Sequence, residues 1–155
     1  MSLPGKPVSA SRTTVVQLMN PEHANNHGNV HGGWIMKMMD EAGALACMRY
    51  AQRRVVTIAV DTLTFRQPIL LGNLVTVMAE VSYVGRTSME VEVQVIAEDV
   101  IQGTQIPTNT AYLVYVALDE HGRPTPVPPL IPETDAHRQR MEAGRKRQED
   151  RLKQS

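Results

Sequence analysis

A chain of 155 residues with 16 Lys+Arg and 16 Asp+Glu has no net charge. It is long enough for one domain with a real core, and its balanced charge excludes an obvious nucleic-acid binder. The single cysteine, Cys47, excludes an intrachain disulfide, and its apolar surroundings fit a small hydrophobe better than a nucleophile.

Residues 1–12 read as a flexible N-terminal tail. They contain no apolar run of the signal-peptide kind, so a cytoplasmic location follows by default. Thr13 to Met19 is rich in β-branched residues and reads as a strand. Pro21, Asn25, Asn26, Gly28, Asn29, Gly32 and Gly33 then mark a loop. From Trp34 to Tyr50 the chain lacks proline and is rich in Met, Ala and Leu, which predicts a helix apolar on nearly every face and therefore buried. At about 17 residues it is too short and too charged to span a membrane. Val55 to Phe65 reads as the next strand, followed by Leu74 to Val84 and a turn at Gly85-Arg86. Ser88 to Glu98 alternates Met89, Val91, Val93 and Val95 with Glu90, Glu92 and Gln94, the pattern of a half-buried antiparallel strand. Asn109 to Leu118 is the last strand.

The order β-α-β-β-β-β, with no crossover helices between the later strands, predicts an α+β fold with an antiparallel sheet curled around one buried helix. This domain covers residues 13–120. Residues 121–155 form a proline-rich linker, with five of the ten prolines in 122–132, and a charged C-terminal helix. The i,i+4 pairs Arg138/Glu142, Glu142/Lys146, Arg145/Glu149 and Glu149/Lys153 suit a solvated helix that frays at its end, in preference to a phosphate-binding patch.

Chemistry is harder to place. His23, His27 and His31 recur every four residues, but their Asn- and Gly-rich context is a loop, which disfavours a metal site. Nucleophile-elbow, phosphate-loop and dinucleotide motifs are absent. Gly32-Gly33 directly before the helix supplies free N–H groups at a positive dipole end, suited to an oxyanion or simply to a tight turn. Asp40 and Glu41 place carboxylates mid-helix, where they must be paired, hydrogen-bonded or reactive. Asp40 lies about 10 Å along the axis from Gly33, too far for one carbonyl group to touch both. If both serve one substrate, they come from two copies of the chain in a homodimer with composite sites.

The strings AN-x-x-GNVHGGWIMKMMDEAGA, VVTIAVDTLTFRQPILLGN and VGRTSMEVEVQV, in this order, resemble the hotdog-fold acyl-CoA thioesterases. The subgroup is that of bacterial YciA-type enzymes and cytosolic brain acyl-CoA hydrolases. The resemblance covers about residues 13–120 and continues into the tail. It implies hydrolysis of fatty acyl-CoA to free acid and coenzyme A. Asp40 would be the general base or nucleophile, and Asn25 from the opposite protomer would orient water or thioester. Gly33 would supply the helix-start amide, with His31 and Gly32 shaping the loop. Gly85, Arg86, Thr87 and Ser88 would contact coenzyme A. Glu41 rivals Asp40 as the base. The implied assembly is a homohexamer, a trimer of hotdog dimers, without metal, cofactor, nucleic-acid or membrane partner. Two rival functions are a hotdog acyl-thioester hydratase and a non-catalytic acyl-CoA sensor.

Overall fold

The computed structural model describes residues 3–61 and 63–154. Met1, Ser2, Thr62 and Ser155, which fall within the predicted tail, third predicted element and C-terminal helix segments, lie outside the described residues. The chain order is β1 (Lys6–Pro7), β2 (Thr13–Leu18), α1 (Gly32–Ala51), β3 (Arg54–Val60), β4 (Leu74–Val84), β5 (Ser88–Asp99), β6 (Thr104–Leu118), β7 (Leu130–Ile131) and α2 (Asp135–Lys153), with short 3₁₀ turns at Val8–Ser11 and Pro21–His23.

Five strands form one antiparallel sheet in the order β2-β4-β5-β6-β3. Alternation sends Val75, Val77, Ala79 and Val81 of β4 to the same face as Met89, Val91, Val93 and Val95 of β5. Ala111, Leu113, Tyr115 and Ala117 of β6 join them, and this face closes on Ile35, Met38, Met39, Ala42, Ala46, Cys47 and Tyr50 of α1. Because the sheet wraps the helix, nearly all these side chains leave water entirely. This is the predicted hotdog arrangement. One stripe of α1, with Gly33, Lys37, Glu41, Leu45 and Met48, stays exposed at the helical repeat. Among the described residues no helix is long and apolar enough to cross a membrane.

Three expectations change. Residues 3–12 are fastened down. β1 pairs in parallel with β7, Val8 and Ser11 are buried, and the Lys6 ammonium donates to the Tyr50 carbonyl at the end of α1 (2.7 Å). The third predicted element ends at Val60, short of Phe65. β6 begins at Thr104, upstream of Asn109, and tolerates Pro107 because the register with β5 slips there.

The C-terminal helix is solvated on one face only, where the expected Arg145–Glu149 pair forms. α2 packs on the outer face of the sheet through charges, so Glu90 and Glu92, predicted to face water, are buried. Arg147 grips Glu90 with Nε and Nη2, both at 2.8 Å, and its guanidinium lies 3.7 Å from the centre of the Tyr112 ring. Arg140 bridges Glu80 (2.6 Å) and Glu92 (2.9 Å). Gly144 permits this approach, since a Cβ there would lie 2.6 Å from Tyr83 and 2.8 Å from Glu90. Glu90 is 1% exposed and Arg147 26%. Removing the arginine leaves a buried carboxylate whose one remaining side-chain hydrogen-bond partner among the described residues is the Ser82 hydroxyl (2.6 Å). Arg147→Ala is therefore expected to lower stability in urea unfolding by ~3 kcal/mol, the low end for a broken buried pair because water reaches the arginine. A loss under about 0.5 kcal/mol, the usual size for a surface change, would mean α2 is a solvated helix after all.

Candidate active site

Asp40 is the organising residue. It lies on the side of α1 that faces the sheet, where the sheet offers two hydroxyls. The Tyr115 hydroxyl on β6 donates to Asp40 Oδ1 and lies 2.9 Å from both that oxygen and the Asp40 carbonyl. The Thr57 hydroxyl on β3 donates to the same Oδ1 at 2.8 Å. Thr57 and Tyr115 are direct cross-strand partners, so the two donors arrive side by side. A register slip between Thr57 and Ala59 inserts Ile58, the kind of bulge that re-aims a neighbouring side chain. Burial, and then the charge of Asp40, push the Tyr115 phenol up, so it remains a donor across the working pH range. No ion pair engages Asp40 among the described residues, and Oδ2 has no hydrogen-bond partner among them.

Glycine makes the contact possible. A Cβ at Gly43, one turn along α1, would lie 2.5 Å from the Tyr115 oxygen. Glu41 faces the other way, exposed and 3.8 Å from Lys37. It has no place beside Asp40. Burial pushes the Cys47 thiol up, away from nucleophilic chemistry.

Asn25 lies in the loop before α1. Its Oδ1 accepts from the N–H groups of His27 (2.8 Å) and Asn29 (3.2 Å), which fixes the carboxamide and leaves its NH₂ for other work. With Asn29, Gly32, Ile35 and Phe65 it lines a cleft of about 190 Å³. Asp40 does not line this cleft; eight residues of helix, roughly 12 Å, separate it from Gly32. The helix begins at Gly32 because His31 caps it: the Gly33 N–H donates to His31 Nδ1 at 2.9 Å. The amide singled out in the sequence is thus covered by the imidazole of its own loop.

Gly85, Arg86 and Thr87 form the β4–β5 connection, and Ser88 opens β5. The turn closes through Gly85 N–H to the Ser88 carbonyl (2.9 Å), and Val127 of the proline-rich segment donates to the Arg86 carbonyl (2.9 Å). Ser88 and Met89 pair with Val116 and Tyr115, so the turn lies one strand away from Asp40's anchor. The three loop histidines do not converge. His23 is buried, His27 is exposed and His31 caps the helix, and among the described residues no three His, Cys, Asp or Glu side chains gather as a metal site. Thr57 and Tyr115 were missed in the sequence. The available signal was that an aspartate in a buried helix needs donors, and both hydroxyls lie on flanking strands.

Residues 27–104 match the thioesterase superfamily. A Helicobacter pylori protein, VdlD, is 37% identical over 147 residues, covering 94% of this chain and 84% of its own. The rat cytosolic acyl coenzyme A thioester hydrolase is 36% identical over 142 residues, covering 90% of this chain, which spans 37% of that relative's length. A crystal structure of an apo-hexameric acyl-CoA thioesterase superposes with a TM-score of 0.93 at 34% identity, covering 98% of this chain and 97% of the other. A Staphylococcus aureus acyl-CoA hydrolase, solved with butyryl coenzyme A and coenzyme A, gives 0.90 at 34% identity over 97% of this chain and 92% of its own. That enzyme has also been solved with alanine in place of one aspartate, one threonine or one asparagine. The chain belongs to the thioesterase superfamily, the hotdog class. Within it, the chain falls in the acyl-CoA thioester hydrolase group.

The packing at Gly43 gives a test of sign. In an exposed helix interior, Gly→Ala stabilises by about 1 kcal/mol. Here the added methyl collides with the Tyr115 hydroxyl, and overpacking costs ~1–3 kcal/mol. Gly43→Ala is expected to lower the melting temperature. An increase would mean that Tyr115 is not held against Asp40.

Proposed function

We propose that the chain hydrolyses acyl-CoA thioesters at sites shared between two protomers of a homo-oligomer. The observation that supports this best is the Asp40 carboxylate, with Oδ1 fastened by two neutral hydroxyls and Oδ2 left open. Oδ2 acts on the thioester, as base toward water or as nucleophile. Its tether limits rotation, so the open oxygen is held for reaction. Asn25 of the partner subunit, its carboxamide set by the loop, donates to the thioester carbonyl or to the attacking water. The helix start at Gly33 of the partner subunit stabilises the oxyanion once the His31 imidazole yields its place. No metal or organic cofactor takes part.

The sheet edge supports the shared site. β3 is an edge strand whose Val56, Ile58 and Val60 are 44%, 55% and 40% exposed, an unpaired apolar edge of the kind that natural proteins cover. A second copy pairing along β3 about a twofold axis covers it beside Thr57 and Asp40. Three such dimers give a hexamer, the state of the apo-hexameric structural relative. Coenzyme A runs along the Gly85–Ser88 turn, where the exposed Arg86 guanidinium suits phosphate. The setting is cytosolic, as in the name of the rat relative.

Thiol release from a panel of acyl-CoA chain lengths tests this reading. The wild type is expected to turn over at least one of them, equally well after chelator treatment. Asp40→Asn, which keeps shape but not charge, is expected to lose ~10²-fold or more in kcat. Acyl-CoA binding without thiol release at any chain length would make the protein a sensor, and full activity in Asp40→Asn would move the chemistry elsewhere.

A further inference from the structure

His23 contains the one buried side-chain nitrogen or oxygen among the described residues that lacks a hydrogen-bond partner, its Nε2. The ring is 1% exposed. Its other nitrogen, Nδ1, accepts the Asn20 N–H at 2.8 Å, so the neutral ring carries its proton on the unpartnered Nε2. Glu22 Oε1 is 3.8 Å from Nε2, too far for a hydrogen bond. A phenyl ring in this space would avoid the lost solvation of that N–H. The histidine therefore does something that an apolar ring cannot, and its contacts say what.

Each contact fixes one end of the loop that precedes α1. Nδ1 pins Asn20 at the entrance. The His23 carbonyl accepts the His31 N–H at 2.7 Å, which pins the exit. The imidazole lies against Trp34 in the first turn of α1, with ring centres 4.3 Å apart and planes tilted by 36°. Trp34 is itself tied by its indole N–H to Gln17 on β2 (3.2 Å). Between the two pins lie Asn25, whose carboxamide is shaped by loop N–H groups, and the Ala24–Val30 bridge. His31 then sets the position of its own imidazole over the Gly33 N–H.

We propose that His23 is a positioning residue for thioester hydrolysis. It locks the loop that presents Asn25, His31 and Gly33, through the acceptor nitrogen Nδ1 more than through its ring. This rests on the hydrolase reading above. The lock acts on the reacting geometry and not on substrate capture, so it should appear in kcat rather than KM.

Two variants separate acceptor from ring. His23→Phe keeps a ring against Trp34 but removes the acceptor. His23→Asn keeps an acceptor oxygen where Nδ1 was and removes the ring. Steady-state kinetics with an acyl-CoA that the wild type turns over is expected to show His23→Phe at least about 10-fold down in kcat, with KM within about 3-fold. His23→Asn is expected to lie within about 3-fold of wild type in kcat, even if its melting temperature falls further. A Phe variant with wild-type kcat, or an Asn variant as slow as Phe, would overturn the proposal. Nitrogen-15 NMR of the unaltered protein gives a second reading if a variant fails to fold: His23 must show a proton on Nε2 and none on Nδ1, and the opposite tautomer overturns the lock. Since every arm is referred to wild-type turnover, an inactive wild type refutes the hydrolase reading while leaving the tautomer result to judge the lock.

Discussion

The structure depends on how a carboxylate is held on the helix that the sheet wraps. Asp40 is half-buried on the face of α1 that the sheet wraps, and a carboxylate partly withdrawn from water needs hydrogen-bond donors. The sheet answers with two hydroxyls and, among the described residues, no cation: Tyr115 and Thr57, opposite each other on β6 and β3, both donate to Oδ1. That arrangement satisfies one oxygen and, among the described residues, gives the other no hydrogen-bond partner. The local features follow from this arrangement, since Gly43 makes room for the phenol and the bulge at Ile58 lies beside Thr57.

The outer face of the sheet solves a different problem. β5 alternates apolar residues with Glu90 and Glu92, and both rows are buried because α2 covers the second one. The covering helix carries too few apolar residues to make a hydrophobic layer. Its arginines replace that layer with geometry: a two-pronged grip on Glu90, a bridge between Glu80 and Glu92, and a guanidinium on the face of Tyr112. A carboxylate row under an arginine helix fixes where α2 must lie, and it keeps the loops at the β4–β5 turn beside the helix.

The sequence revealed much of the fold. The apolar run of α1 and the alternation in β4 and β5 are direct consequences of a sheet wrapped on a helix, so they predict it. Periodicity could not show what covers the polar row of β5, because a strand facing water and one facing an arginine helix read alike. The N-terminal residues looked loose because their prolines break pattern, yet Lys6 reaches α1 through a contact 44 residues away in sequence. Asp40 and Asn25 were legible as candidates, since a mid-helix carboxylate and an Asn-Gly loop are locally unusual. Thr57 and Tyr115 were not, because their role depends on cross-strand register, which a bulge shifts by one residue. Glu41 could be separated from Asp40 only by the helix face each occupies.

The central claim is that Asp40 and Asn25 of one working site belong to different chains. It is tested most directly by unfolding Asp40→Asn and Asn25→Ala proteins together and refolding the mixture. In a mixed dimer with one substitution on each chain, one shared site collects both defects and the other collects neither. Random pairing makes half the dimers mixed, so about a quarter of wild-type thioesterase activity should return if the sites are independent. Activity that stays at the level of the separate variants, with mixed dimers demonstrated, would place both residues in one protomer's site and contradict the account.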